Sequence, residues 1–134
     1  MRKSSITAIL DADIQKVWNI VTNNENHQWR SDLSEIKIID DNHFVEYTKD
    51  GFTTEFTIKV KEQYRKYEFD MENQNMTGHW VGLFSETEEG NTKIDFVEEL
   101  YIKNPLMEML SYFVMSIKNI QERYIEDLRN ELKK

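Results

Sequence analysis

Glu98 is the side chain whose setting most clearly calls for chemistry. In Ile94-Asp95-Phe96-Val97-Glu98-Glu99-Leu100-Tyr101-Ile102, every second residue from Ile94 is apolar except Glu98. Alternate residues of a strand share a face, so this carboxylate is expected among Ile94, Phe96, Leu100 and Ile102. An unpaired carboxylate on an apolar face is costly, and its pKa rises. Such a group can serve as a general acid or base, or as a polar anchor for a ligand. Two structural readings of the same residues compete with this one. A bulge would turn Glu98 to solvent beside Glu99, or Tyr47 or Arg65 would pair with it.

Trp29, Tyr47, Tyr67 and Trp80 offer a second kind of chemistry, a hydrogen bond at the edge of an apolar body. The usual enzyme constellations are missing from the sequence. It holds no Gly-x-Ser-x-Gly elbow, no phosphate-cradling glycine loop and no His-x-x-x-His pair. His27, His43 and His79 stand apart from one another, and an isolated histidine is more often structural than a metal ligand. With no cysteine either, neither a metal nor a cofactor is expected.

The elements that must position these groups are legible from periodicity. Lys3 to Leu10 alternates as a first strand. Asp11-Ala12-Asp13 then offers a cap for a short helix with Ile14, Val17, Trp18 and Val21 on one face. A second short helix is expected around Glu25 to Trp29. From Glu35 to Ile102 the period is two: strands are expected at Ile36–Ile39, Phe44–Lys49, Phe52–Lys61, Tyr64–Met71, Met76–Glu86 and Thr92–Lys103. Asp50-Gly51 is a strong hairpin signal. In the fourth of the seven strands, Phe52, Thr54, Phe56, Ile58 and Val60 are expected to share a face. Asn104-Pro105 reads as the start of one long helix running to the terminal lysines, with Leu106, Leu110, Phe113, Ile117, Ile120, Tyr124 and Leu128 on one stripe.

This order gives an α+β chain: a curved antiparallel sheet of about seven strands, two short helices after the first strand, and a long C-terminal helix across the concave face. At 134 residues it is expected to be a single domain, 1–134. A twisted sheet curls away from a straight helix, so space is expected between them. Phe56, Tyr67, Phe69, Met71, Trp80, Phe84 and Phe96 from the sheet, with Met107, Met109, Phe113, Met115 and Ile117 from the helix, are expected to face that space. A simple packed core is the competing reading of the same stripe.

The formal charge of -8, from 17 basic and 25 acidic side chains, argues against a nucleic-acid partner. No apolar run approaches the length that spans a bilayer, so no stable membrane insertion is expected, and a cytoplasmic location is.

The chain resembles the SRPBCC/START-like superfamily, the helix-grip fold, and within it the polyketide cyclase/dehydratase-like group. The resemblance rests on Ile6-Thr7-Ala8 followed by Asp13-Ile14-Gln15-Lys16-Val17-Trp18, on Trp29, on Gly90-Asn91-Thr92-Lys93-Ile94, and on Asn104-Pro105-Leu106. It implies a hydrophobic cavity between sheet and C-terminal helix and an apolar small-molecule ligand such as a lipid or polyketide. The ligand-binding candidates are Trp29, Tyr47, Phe56, Tyr67, Phe69, Trp80, Phe84, Phe96, Glu98, Met109, Phe113 and Ile117. The resemblance carries over no catalytic residue. Binding or transport of such a ligand is the first expectation. The alternatives are a cyclase/dehydratase-type enzyme in which Glu98 or a tyrosine moves a proton, and a co-chaperone-like protein-interaction module that uses the acidic surface.

Overall fold

The computed structural model describes residues 1–106 and 116–134. Seven strands form one antiparallel sheet: β1 (Arg2–Leu10), β2 (Leu33–Asp40), β3 (His43–Thr48), β4 (Thr53–Glu62), β5 (Lys66–Glu72), β6 (Met76–Glu86) and β7 (Thr92–Ile102). The spatial order is β1-β7-β6-β5-β4-β3-β2. Strands β2 to β7 therefore form a meander, and the last strand returns beside the first. Short turns drive this arrangement. Gly51, at φ 94°, closes the β3–β4 hairpin and donates to the Thr48 carbonyl at 3.1 Å, a conformation that disfavours a side chain.

Between β1 and β2 lies α1 (Ile14–Thr22), capped by the Asp13 carboxylate, which accepts from the Lys16 N–H at 2.9 Å. Its buried face is Ile14, Val17, Trp18 and Val21. Trp18 meets Phe84 edge-on at 4.9 Å, which fastens the helix to β6. The second short helix expected at Glu25–Trp29 is replaced by two turns. The Asn23 and Asn26 side chains accept from the N–H groups of Glu25 and Gln28, offering the backbone a local alternative to helix.

The C-terminal helix α2 (Ile117–Leu132) is also shorter than expected. Asn104 does accept from the Leu106 N–H at 2.9 Å, as a helix start requires. Ser116, however, is extended at φ -110° and ψ 112°, and its hydroxyl accepts from the Asn119 N–H, so it starts a fresh helix. One unbroken helix through this point is ruled out, and α2 is ~24 Å long rather than ~40 Å. The new start also resets its face. Ile117, Gln121, Ile125 and Leu128 are buried, whereas Ile120 is exposed.

Polar bonds hold α2 against β1. The Ser4 hydroxyl donates to Gln121 Oε1 at 2.7 Å and Gln121 Nε2 donates to the Ser4 carbonyl at 3.0 Å, a reciprocal pair centred on a buried glutamine. Arg129 donates to the Ile9 carbonyl at 2.9 Å. The core is the layer between the sheet and the two helices, with Leu10, Val17, Ile94 and Leu128 fully enclosed. No helix among the described residues is long and apolar enough to cross a membrane.

Candidate functional site

Register decides which side chains face the helices. Ile58, Phe69, Trp80, Glu98 and Ser4 are successive cross-strand partners from β4 to β1, forming one row on the inner face. One row away lie Phe56, Met71, Gly78 and Leu100; on the other side lie Tyr67, Gly82 and Phe96. Glu98 therefore points inward, as parity predicts, and no bulge interrupts its strand.

The rings of this face pack on one another. Phe69 stacks on Trp80 with centroids 4.8 Å apart, and Trp80 meets Phe96 at 4.7 Å. Phe44 stacks on Phe56 at 4.8 Å. Two glycines make room on this face: a Cβ at Gly82 would lie 2.5 Å from the Trp80 ring, and one at Gly78 would lie 2.7 Å from Leu100 Cδ2. Phe84 lies deeper, between Trp18 and Phe96, and belongs to the packing beneath α1. Ile117 is buried at the start of α2.

At one end of this face is a polar cluster. The turn after α1 carries Trp29 and Arg30 up to α2, where Asp127 accepts from both the N–H and the hydroxyl of Ser31 at 2.8 Å. Arg30 grips Asp32 with two bonds, Nε to Oδ1 at 3.1 Å and Nη2 to Oδ2 at 3.0 Å, and sets Nη1 3.6 Å from Glu46 Oε2. Its guanidinium lies 4.8 Å from the centre of the Tyr124 ring, and Trp29 meets that ring edge-on at 5.2 Å.

The electrostatics follow from burial. Burial alone opposes the charge of Arg30, but Glu46 and then Asp32 outweigh it and hold the guanidinium above its ordinary value. Burial pushes Glu46 up, with Arg30 pulling it back and Asp32 adding to the rise. Glu98 is pushed up to about 7 by burial first and by the charge of Glu46 second, against the attraction of Arg30. It accepts no hydrogen bond and forms no ion pair among the described residues. Tyr67 is pushed up to about 12 by burial, and its oxygen accepts weakly from Asn24 at 3.5 Å. The Tyr124 phenol is likewise raised, chiefly by burial.

The structure thus brings Phe56, Tyr67, Phe69, Trp80, Phe96 and Glu98 to one face and sets Trp29 at its polar end. Tyr47 does not join them. In β3, Phe44 and Glu46 pair with the inward Phe56 and Thr54, so Tyr47 falls on the opposite face. Arg65 is also remote, paired with Glu62 in the β4–β5 turn. Val60 leaves the inner face because a bulge between Ile58 and Val60 reverses the alternation. Met109 and Phe113, with Met107 and Met115, lie outside the described residues. Arg30, Asp32, Glu46 and Tyr124 are the members that sequence reasoning missed. Glu46 carried the same signal as Glu98, a carboxylate in step with an inward phenylalanine.

The outer face holds a separate charged group. His79 is 2.6 Å from Asp70 through Nδ1 and 2.7 Å from Glu68 through Nε2, which raises its pKa, the bond to Asp70 first. No group of three or more His, Cys, Asp or Glu among the described residues is placed to hold a metal.

No family model and no curated protein matches the sequence. Solved structures do. A START superfamily protein from Mycobacterium smegmatis aligns with a TM-score of 0.78 at 11% identity, over 98% of this chain and 97% of that one. The fold is START-like. An uncharacterized protein from Bacillus thuringiensis shares this START-like fold with a TM-score of 0.79 at 14% identity, over 99% of this chain and 100% of its own. The di-domain ARO/CYC BexL of the BE-7585A biosynthetic pathway aligns with a TM-score of 0.80 at 10% identity, over 99% of this chain and 47% of BexL. The START-like chain thus corresponds to about half of that protein.

Proposed function

We propose that this protein binds an apolar small molecule between the sheet and the C-terminal helix, with the Arg30–Glu46–Glu98–Tyr124 cluster orienting its polar end. One observation carries the reading. In the row Ile58, Phe69, Trp80, Glu98 and Ser4 every side chain but Trp80 keeps accessible surface, while Phe56, Met71 and Leu100 on one side and Tyr67 and Phe96 on the other are buried. Arg30 and Glu46, both deep in the protein, also keep 15% of their side-chain surface accessible. Groups set deep yet still accessible border a space rather than a filled core. Beside Trp29, a hollow of about 260 Å³ runs along α1, lined also by Lys16, Asn19, Ile20, Asn23 and Asn26.

Titration with the neutral dye Nile red tests this. A blue-shifted, saturable one-to-one signal is expected, weakened about tenfold in Phe69→Ala with the circular dichroism of the wild type. Unchanged affinity in that folded variant would remove this face as the site.

Glu98 supports a second reading, proton transfer. A carboxyl group with a pKa near 7 in an apolar setting is poised for acid–base work. A cyclase-type substrate that binds equally well to wild type and Glu98→Gln, and turns over only with the former, would establish it.

A further inference from the structure

The polar end of the concave face holds more negative than positive charge. Asp32 and Glu46 share the Arg30 guanidinium, and Glu98, unpaired among the described residues, feels the charges of Glu46 and Arg30. Arg30 has little left to offer a ligand. Two of its nitrogens are engaged by Asp32 and the third faces Glu46. A ligand carboxylate or phosphate would therefore meet an already neutralised cation and two carboxylates. Glu98 is the opposite case, set deep yet still partly accessible, without a partner among the described residues, and in register with Trp80. Phe69, stacked on Trp80, keeps part of its surface accessible beside it. An unpartnered carboxylate two strands along the row from an accessible aromatic ring is complementary to a positive charge on an apolar body.

We infer that the apolar ligand of this site carries an ammonium group, held by the Glu98 carboxylate beside the accessible ring of Phe69. This rests on the concave face being the binding site. The remaining titratable groups facing the cluster, Tyr67 from β5 and Tyr124 from α2, are neutral phenols held above their ordinary values and do not compete for the cation.

Three probes with one hydrocarbon chain test the assignment: dodecylamine, dodecanol and dodecanoate, each kept below its micelle concentration at pH 8 and physiological ionic strength. Displacement of Nile red from the full-length protein is the readout. Dodecylamine is expected to displace the dye at about tenfold lower concentration than dodecanol, with dodecanoate the weakest. In Glu98→Gln the amine should lose that advantage over dodecanol, both measured on the variant itself. Dodecanoate matching or beating dodecylamine would overturn the ammonium assignment and leave the apolar site standing. So would an amine preference that survives in Glu98→Gln, which would trace it to the overall charge of -8. Failure of all three probes to displace the dye would overturn the concave-face reading itself, and the inference with it.

Discussion

Replacing Glu98 with glutamine should stabilise this protein at alkaline pH and leave it nearly unchanged in acid. The carboxyl moves from the ordinary glutamate value of 4.5 to about 7 on folding, driven first by burial and then by Glu46. Because the folded value is raised, the folded state binds the extra proton. Stability from this group is complete below pH 4.5, falls as the pH rises toward 7, and is fully lost above it. At ~1.4 kcal/mol per pH unit, that interval amounts to ~3 kcal/mol of destabilisation at pH 8. Glutamine keeps the shape and remains neutral, so the variant should gain most of this amount. Urea unfolding followed by tryptophan fluorescence, for both proteins at several values between pH 4.5 and 8.5, measures it. Other titrating groups, His79 among them, largely cancel in the difference between the two proteins. A stability difference that does not change with pH would refute the claim that folding raises the pKa of Glu98.

Removing the cation should act in the other direction. Arg30→Met leaves Glu46 deep in the protein without its partner and the partly exposed Asp32 without its own, and a loss of about 3–5 kcal/mol is expected at pH 8 in urea unfolding, smaller at pH 5 where Glu46 can protonate. Gly82→Ala places a methyl group 2.5 Å from the Trp80 ring and should cost about 1–3 kcal/mol, seen as a lower Tm together with an altered Trp80 environment in near-ultraviolet circular dichroism. On the outer face, His79 has its pKa raised, chiefly by its bond to Asp70. Its stabilising effect is therefore present below pH 6.5 and disappears as the pH rises through the folded value. His79→Asn should lower stability at pH 6, by less than ~1 kcal/mol given solvent screening, and leave it unaltered at pH 9.

The parts of this molecule that repeat were readable from the chain, and the parts that do not were hidden. Strand parity located Glu98 on the inner face because β7 is long and its alternation is unbroken. The same rule applied to Glu46, yet β3 spans only six residues, too short for its alternation to stand out, and Tyr47 drew attention to the wrong face. Arg30 and Asp32 sit in and beyond a turn, where no period exists to reveal direction; what orients them is their bond to each other and the contact with Tyr124, 94 residues away in sequence from Arg30. The C-terminal helix misled for a related reason. Absence of glycine and proline said that nothing forces a stop, whereas Ser116 with Asn119 supplies a cap strong enough to start again. Likewise, the asparagines around Glu25 compete for backbone N–H groups and replace a helix by turns.

Native mass spectrometry of the purified protein, before and after exposure to a mixture of lipids and polyketide-like compounds, tests the central claim most directly. A one-to-one adduct that is extractable into organic solvent and lost in Phe69→Ala is the predicted result. A clean protein mass under both conditions would contradict an apolar binding site between the sheet and the C-terminal helix.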